Sequence, residues 1–194
     1  MAGGSRRLTV SLTAVISAAA LGIVAFALTR TYPVSALEPG RGEPLVLLDR
    51  HGETIRQVAA RGRPGRERWV SLDQVSSHAI LTLLASEDQG FFEHRGVDPI
   101  AVLRAMYLNL KGGKVRYGGS TITMQLMRMV HSRGEPRTLL SKLKESLLAI
   151  WLENSATKQQ ILEQYLNRVD FGHGAVGIEA AARRYFGKPA ETLT

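Results

Sequence analysis

From Leu8 to Thr29 the chain carries no charged residue, and Leu, Val, Ile, Ala and Phe dominate. These 22 positions are enough for a helix to cross a hydrocarbon core of roughly 30 Å. Arg6 and Arg7 precede the run and Arg30 follows it. The leading pair favours a cytoplasmic N-terminus, with everything after the run exported. The expected order is a cytoplasmic tail (1–7), a transmembrane anchor (8–30), a linker (31–44) and a folded domain (45–194). A cleaved signal peptide is the rival, with Val34-Ser35-Ala36 as its cleavage site, but the run exceeds the ~7–15 residues of a signal core. Either way the folded part lies outside the cytoplasm. The net charge of +8 therefore points away from nucleic acid and towards anionic headgroups or a phosphorylated substrate. Cysteine is absent, which excludes a disulfide framework, a thiol nucleophile and a thiolate metal site.

The linker is rich in Pro and Gly. Leu45–Leu48 and Thr54–Val58 then read as two strands of a hairpin around the turn Asp49-Arg50-His51-Gly52. Arg61 to Arg68 is a basic loop. The rest reads as helical. Ser71 with Gln74 forms a capping box ahead of a helix running to about Ser86. Asp98-Pro99 opens another, with Ile100, Leu103, Met106, Tyr107 and Leu110 on one face and Gly112-Gly113 at its end. After a basic loop (Lys111 to Gly119), a helix runs from near Ser120 to about His131. Thr138 to Glu153 is the next, with Leu140, Leu143, Leu147 and Ile150 expected inward; its apolar face reads as core rather than lipid-facing. Thr157 and Gln160 cap a helix to about Asn167. A Gly-rich loop leads to a last helix ended by Gly187, and Thr192-Leu193-Thr194 reads as a domain stopping short of its final elements.

The densest chemistry lies in Ser86-Glu87-Asp88-Gln89-Gly90-Phe91-Phe92-Glu93-His94-Arg95-Gly96. Glu87 and Asp88 fall at a helix C-terminus, whose partial negative charge repels them. Residues that break a local rule mark function more often than accident. A carboxylate beside a second carboxylate and aromatic rings suits general-base chemistry. Gly118-Gly119-Ser120-Thr121 is expected to present free backbone N–H groups at a helix start, an anion site. Thr121, Gln125 and Arg128 share one polar stripe. Lys142 and Glu145 lie three apart on the next helix. Base, anion cradle and cations together suggest group transfer from a phosphorylated, lipid-linked donor.

These residues resemble the five signatures of the peptidoglycan glycosyltransferases of family 51. Glu87-Asp88-x-x-Phe91-x-x-His94-x-Gly96 is similar to the first signature. Gly118-Gly119-Ser120-Thr121-Ile122-Thr123-x-Gln125-Leu126 is similar to the second, and Lys142-x-x-Glu145 to the third. Ile161-Leu162-Glu163-x-Tyr165-Leu166-Asn167 resembles the fourth, and Gly177-Ile178-x-Ala180-Ala181-x-x-Tyr185-Phe186-Gly187-Lys188 the fifth. Motifs in this number and order are far more specific than any one alone. The resemblance implies a mainly α, lysozyme-like domain with a small membrane-proximal jaw. It implies polymerisation of lipid II into glycan strands with inversion, releasing undecaprenyl diphosphate at the outer face of the bacterial inner membrane. By the same resemblance Glu87 is the base. Glu145 sits at the donor diphosphate, with Lys142 and Arg128 neutralising it and a divalent cation (Mg or Mn) as a further expectation. Ser120, Thr121 and Gln125 bind substrate; Asp88, Phe91 and His94 shape the first motif. Tyr165 and Asn167 are expected to support the fold, and His173 has no assigned partner. Other cell-wall synthesis proteins are the expected protein partners.

Met124, Arg128 and Met129 depart from the commoner Gln, Lys and Asn of the family, and Ser141 stands where Arg is common. Met124 and Arg128 resemble the penicillin-binding protein 1C type. Two other readings of the chain stay open at this point. One is a lysozyme-like enzyme that cleaves glycan, which also uses a Glu but as an acid. The other is a catalytically silent membrane protein that only binds lipid II or partners.

Overall fold

The computed structural model describes residues 14–15, 17–18, 21–22, 25–26, 28–37, 45–51, 54–58, 69–114, 118–132 and 134–194. Strands β1 (Leu45–Leu48) and β2 (Thr54–Val58) pair antiparallel, Leu45 opposite Val58, with an irregularity between Leu47 and Leu48. Six α-helices follow among the described residues: α1 (Ser77–Glu87), α2 (Pro99–Gly112), α3 (Ile122–His131), α4 (Leu139–Glu153), α5 (Lys158–Leu166) and α6 (Ile178–Phe186).

Capping chemistry fixes where these helices begin. Asp98 accepts hydrogen bonds from Ile100 N and Ala101 N at the start of α2, with Pro99 in the first turn, where its missing N–H costs nothing. Thr138 with Ser141, and Thr157 with Gln160, form reciprocal boxes at α4 and α5. The expected single helix from Ser71 to Ser86 is two elements. Ser71 and Gln74 cap a 3-10 turn, Leu72–Gln74, and the chain is extended at Val75 and Ser76 before α1. The reason lies at the other end of the chain. Ser76 N donates to Ala190 O, and the Ser76 hydroxyl donates to Leu193 O, so this segment pairs with the C-terminal residues instead of continuing the helix.

The core forms around α3, which packs against both α4 and α5. Ile122, Met124, Leu126 and Met127 are buried against Ala149 and Leu152 of α4 and Ile161, Leu162, Tyr165 and Leu166 of α5. Each such aliphatic or Met side chain contributes about 1.5–3 kcal/mol. Buried polar side chains tie in the irregular segments. Asn167 accepts from Val70 N and donates to Val70 O, mimicking a strand partner. Glu163 accepts from Trp69 Nε1 and Leu72 N. Glu179 accepts from Ala190 N and holds Arg183.

The apolar stripe of α2 is turned outward, and the inward face expected of α4 needs correction. The stripe of α2 exists, but Ile100, Leu103, Met106, Tyr107 and Leu110 are 55–77% exposed. On α4, Leu140 and Leu143 were expected inward, yet both are exposed, as is Leu139. Only the C-terminal half of α4 reaches the core, through Ala149 and Leu152. The physical reason is that α3 covers one side of α4 only, and helical periodicity does not say whether a partner exists.

The linker reading also changes. Val34–Leu37 is a 3-10 turn with Leu37 buried, and Tyr32 is buried beside it. Tyr32 N donates to Trp151 O and Ser155 Oγ, and Asn154 donates to Leu28 O and Arg30 O. The chain entering the domain is thus moored at the C-terminus of α4. Described positions between 14 and 29 are helical and exposed. No helix of the described residues is long and apolar enough to cross a membrane; most of the anchor expected over 8–30, and the basic loop 61–68, lie outside the described residues.

Candidate active site

A cleft of about 1300 Å³ opens between the α1–α2 loop, the start of α3 and one face of α4. Glu87, Asp88, His94, Ser120 and Thr121 line it, together with Arg95 and Arg104. Five side chains singled out from sequence separations of up to 34 residues thus share one cavity.

The motif around Asp88 is held by its carboxylate. Asp88 is the C-cap of α1, and its side chain is only 4% exposed. One oxygen accepts from Ile122 N at 2.9 Å, and His94 Nε2 lies 3.0 Å from both oxygens. A carboxylate only accepts, so Nε2 carries the proton in this contact. His94 Nδ1 is buried without a hydrogen-bond partner among the described residues. Phe91 is fully buried, meets His94 edge to face, and has the Lys158 ammonium 4.4 Å from its ring centroid. Glu153 accepts from Lys158 and from Thr123 Oγ1, linking this floor to α3.

Asp88 takes one amide of the helix start beside the expected anion cradle. The N-terminus of α3 does hold an anion, but that anion belongs to the protein: Asp88 takes Ile122 N, and Thr121 Oγ1 takes Met124 N. Thr121 itself is 2% exposed and donates to Gly96 O at 2.6 Å. Its hydroxyl is committed to capping the helix and pinning the first motif. Two glycines explain the closeness of these pieces. A Cβ on Gly119 would meet Val102 Cα at 2.7 Å. One on Gly96, at φ +80°, would meet the backbone of Ala149 at 2.7 Å. Neither position accepts a side chain without moving backbone.

Glu87 differs from its neighbour. It is exposed at the cleft wall, and Gln125 Nε2 donates to its Oε2 at 3.0 Å. Tyr165 donates to Gln125 Oε1 at 3.1 Å. Burial pushes the Tyr165 hydroxyl's pKa up, and the carboxylates of Glu87 and Asp88 push it the same way, so the phenol keeps its proton. Tyr165 was expected to support the fold; an apolar run such as Ile161, Leu162, Tyr165 and Leu166 gives no sign that one member also carries a polar contact.

The cations and the second carboxylate stand apart from this cleft. Ser120 Oγ accepts from Arg137 Nη2 at 3.2 Å. Arg128, in the last turn of α3, and Lys142, in the first turn of α4, are half-buried outside the cleft lining. Glu145 is 3% exposed on α4, also outside that lining. No cluster of three His, Asp or Glu side chains among the described residues is placed to hold a metal. His173 pairs with Tyr185, whose hydroxyl also donates to Phe171 O and Gly172 O, and so closes the Gly-rich loop.

Residues 51–194 match the transglycosylase family model. The chain is similar to penicillin-binding protein 1A of Escherichia coli, 42% identical over 151 residues, covering 78% of the chain and 17% of that protein. It is similar to the biosynthetic peptidoglycan transglycosylase of Nitrosomonas eutropha, 44% identical over 128 residues, covering 66% of the chain and 52% of that protein. It is also 35% identical over 183 residues to penicillin-binding protein 1A of Haemophilus influenzae, covering 94% of the chain and 20% of that protein. The chain therefore spans from about a fifth to about a half of the length of these relatives. With a family match over most of its length and the signature residues Glu87, Asp88, His94, Ser120 and Thr121 around one cleft, this chain belongs to the transglycosylase family of peptidoglycan glycosyltransferases.

Proposed function

We propose that this chain polymerises lipid II into glycan strands. The observation that carries the reading is the contrast within the acidic pair. Asp88 is buried and saturated with hydrogen bonds, whereas Glu87 stands at the cleft wall with one oxygen held by Gln125. A general base needs this combination of fixed orientation and access. In the reaction, Glu87 removes the proton of the acceptor sugar's 4-hydroxyl. That oxygen forms a bond to the anomeric carbon of the growing strand. The bond from this carbon to the diphosphate oxygen breaks on the opposite face, so the configuration inverts and undecaprenyl diphosphate departs. Arg128, Lys142 and Arg137 supply the positive charge for the departing diphosphate, and Glu145 orders the donor side. Ser120 is the second-motif hydroxyl left to meet substrate, because Thr121 is engaged in its cap.

The outward apolar faces support a membrane-seated enzyme. Contiguous exposed apolar side chains on α2 and at the start of α4 are the kind of surface that soluble monomers avoid. Seated on the outer leaflet and anchored by residues 8–30, these faces would bring the cleft to its lipid-linked donor.

The test is to incubate the purified chain in detergent with lipid II and separate the products by size. Wild type is expected to give polymer. Glu87→Gln, which keeps the shape and removes the base, is expected to give none while melting at the same temperature. Polymerisation at an unchanged rate in Glu87→Gln would remove Glu87 from this role. Release of fragments from preformed strands would select a glycan-cleaving enzyme instead.

A further inference from the structure

Three elements meet behind Glu87. It ends α1; Gln125 comes from the middle of α3 and Tyr165 from α5. Tyr165 is 1% exposed, and its ring packs in the core with Ile161, Leu162 and Leu166. Its hydroxyl projects from that core to Gln125 Oε1 at 3.1 Å, and Gln125 Nε2 lies 3.0 Å from Glu87 Oε2. A carboxamide presents an acceptor on one side and donors on the other, and turning it over reverses them. A phenol that holds its proton donates to the acceptor side, which leaves the donor side for Glu87.

We propose that Tyr165 is a positioning residue for Glu87: its hydroxyl sets the sense of the Gln125 amide, and that amide reserves Glu87 Oε2 and leaves Oε1 to take the acceptor's proton. The inference rests on the reading of Glu87 as the base. It gives Gln125 a role inside the protein, beside the substrate contact expected of it. It also explains why a polar atom is sent out of an otherwise apolar face of α5. The other ionisable groups that line the cleft with Glu87 are Asp88, Glu93, His94, Arg95, Asp98 and Arg104. Tyr165 acts on Glu87 through Gln125 and not through any of them. The amide itself transfers no proton. Without the phenol it can turn over and set its oxygen against the carboxylate, so that Glu87 loses its fixed direction.

The experiment is a double-mutant cycle on lipid II polymerisation with the full chain. Tyr165→Phe keeps the ring and removes only the hydroxyl. It is expected to lower kcat about 10- to 100-fold, the scale of a misdirected catalytic group, with KM within about twofold of wild type, the mark of an interaction that matters only in the transition state. Gln125→Met, which keeps the length and removes both hydrogen bonds, is expected to lose at least as much. Adding Tyr165→Phe to Gln125→Met should cost nothing further, because the phenol would then have nothing to orient. Additive losses in the double variant, or a wild-type kcat in Tyr165→Phe, would overturn the proposal. If Tyr165→Phe fails to fold, Gln125→Met at the half-buried partner still decides it, since an unchanged kcat there also refutes it. Glu87→Gln separates the two levels of inference. An active Glu87→Gln defeats the base reading; an inactive Glu87→Gln alongside a fully active Tyr165→Phe defeats only the role of Tyr165.

Discussion

Replacing Asp88 by Ala tests the scaffold of the site most directly. The side chain is 4% exposed and receives Ile122 N at 2.9 Å and His94 Nε2 at 3.0 Å. Removing it leaves two donors in a space that water does not readily refill. An unsatisfied buried donor costs about 1–3 kcal/mol, so the loss should total about 2–6 kcal/mol. That is a large share of the ~5–15 kcal/mol available to an ordinary domain. With a urea m-value of about 2 kcal/mol/M, a loss of about 4 kcal/mol lowers the unfolding midpoint by about 2 M. Asp88→Asn keeps the oxygen that Ile122 N and His94 Nε2 share but sets an NH2 donor against His94 Nε2–H in place of the other oxygen, and should fall roughly midway. The assay is equilibrium urea unfolding followed by far-UV circular dichroism at one pH, with m compared across all three proteins. An Asp88→Ala midpoint equivalent to less than about 1 kcal/mol from wild type would show that this carboxylate does not hold the first motif to α3, and the argument from its hydrogen bonds would fail.

Two further predictions concern stability. Gly96→Ala places a Cβ 2.7 Å from the Ala149 backbone at φ +80°; strain and overpacking, at about 1–3 kcal/mol each, should lower the melting temperature by many degrees, and an unchanged melt would contradict the packing of the first motif on α4. His131, which pairs with the Tyr32 hydroxyl at 2.7 Å, has its pKa lowered by burial first and by the Lys144 charge second. Below the ordinary value of about 6.5 the unfolded chain therefore binds the proton more readily than the folded one. Stability from this residue is present above that value and is lost as pH falls towards the depressed folded-state value. Unfolding at pH 5 and pH 8 should show a smaller difference in His131→Gln than in wild type; equal differences would refute the assignment.

Helix starts could be read from sequence because they rest on local chemistry. The Asp98-Pro99 and Thr157 caps act within four residues, and each is found where the spacing places it. The interruption at Val75 and Ser76 could not be read, because its cause is a pairing with Ala190 and Leu193 more than a hundred residues away. The outward faces of α2 and early α4 were hidden for a related reason. A 3.6-residue period reports which residues share a face, not what covers it. The signature residues around Glu87 could be found by their motifs, yet the contact between Glu87, Gln125 and Tyr165 could not, since it joins three elements that no local pattern connects.

The acidic pair shows how these two kinds of information combine. Judged on α1 alone, Glu87 and Asp88 both oppose the helix dipole. The fold removes that conflict for one of them by setting Asp88 at the N-terminus of α3, where the dipole favours a negative charge and Ile122 N donates to it. One helix end thus offsets the other, and the pairing fixes the direction in which the chain leaves α1. Glu87, the residue just before, is turned towards the cleft, where only the Gln125 amide meets it among the described hydrogen bonds. With Asp88 accepting from Ile122 N, that amide of the helix start is taken up inside the protein. From the α3–α4 connection the Arg137 guanidinium donates to Ser120 Oγ and so brings a positive charge against the cleft lining.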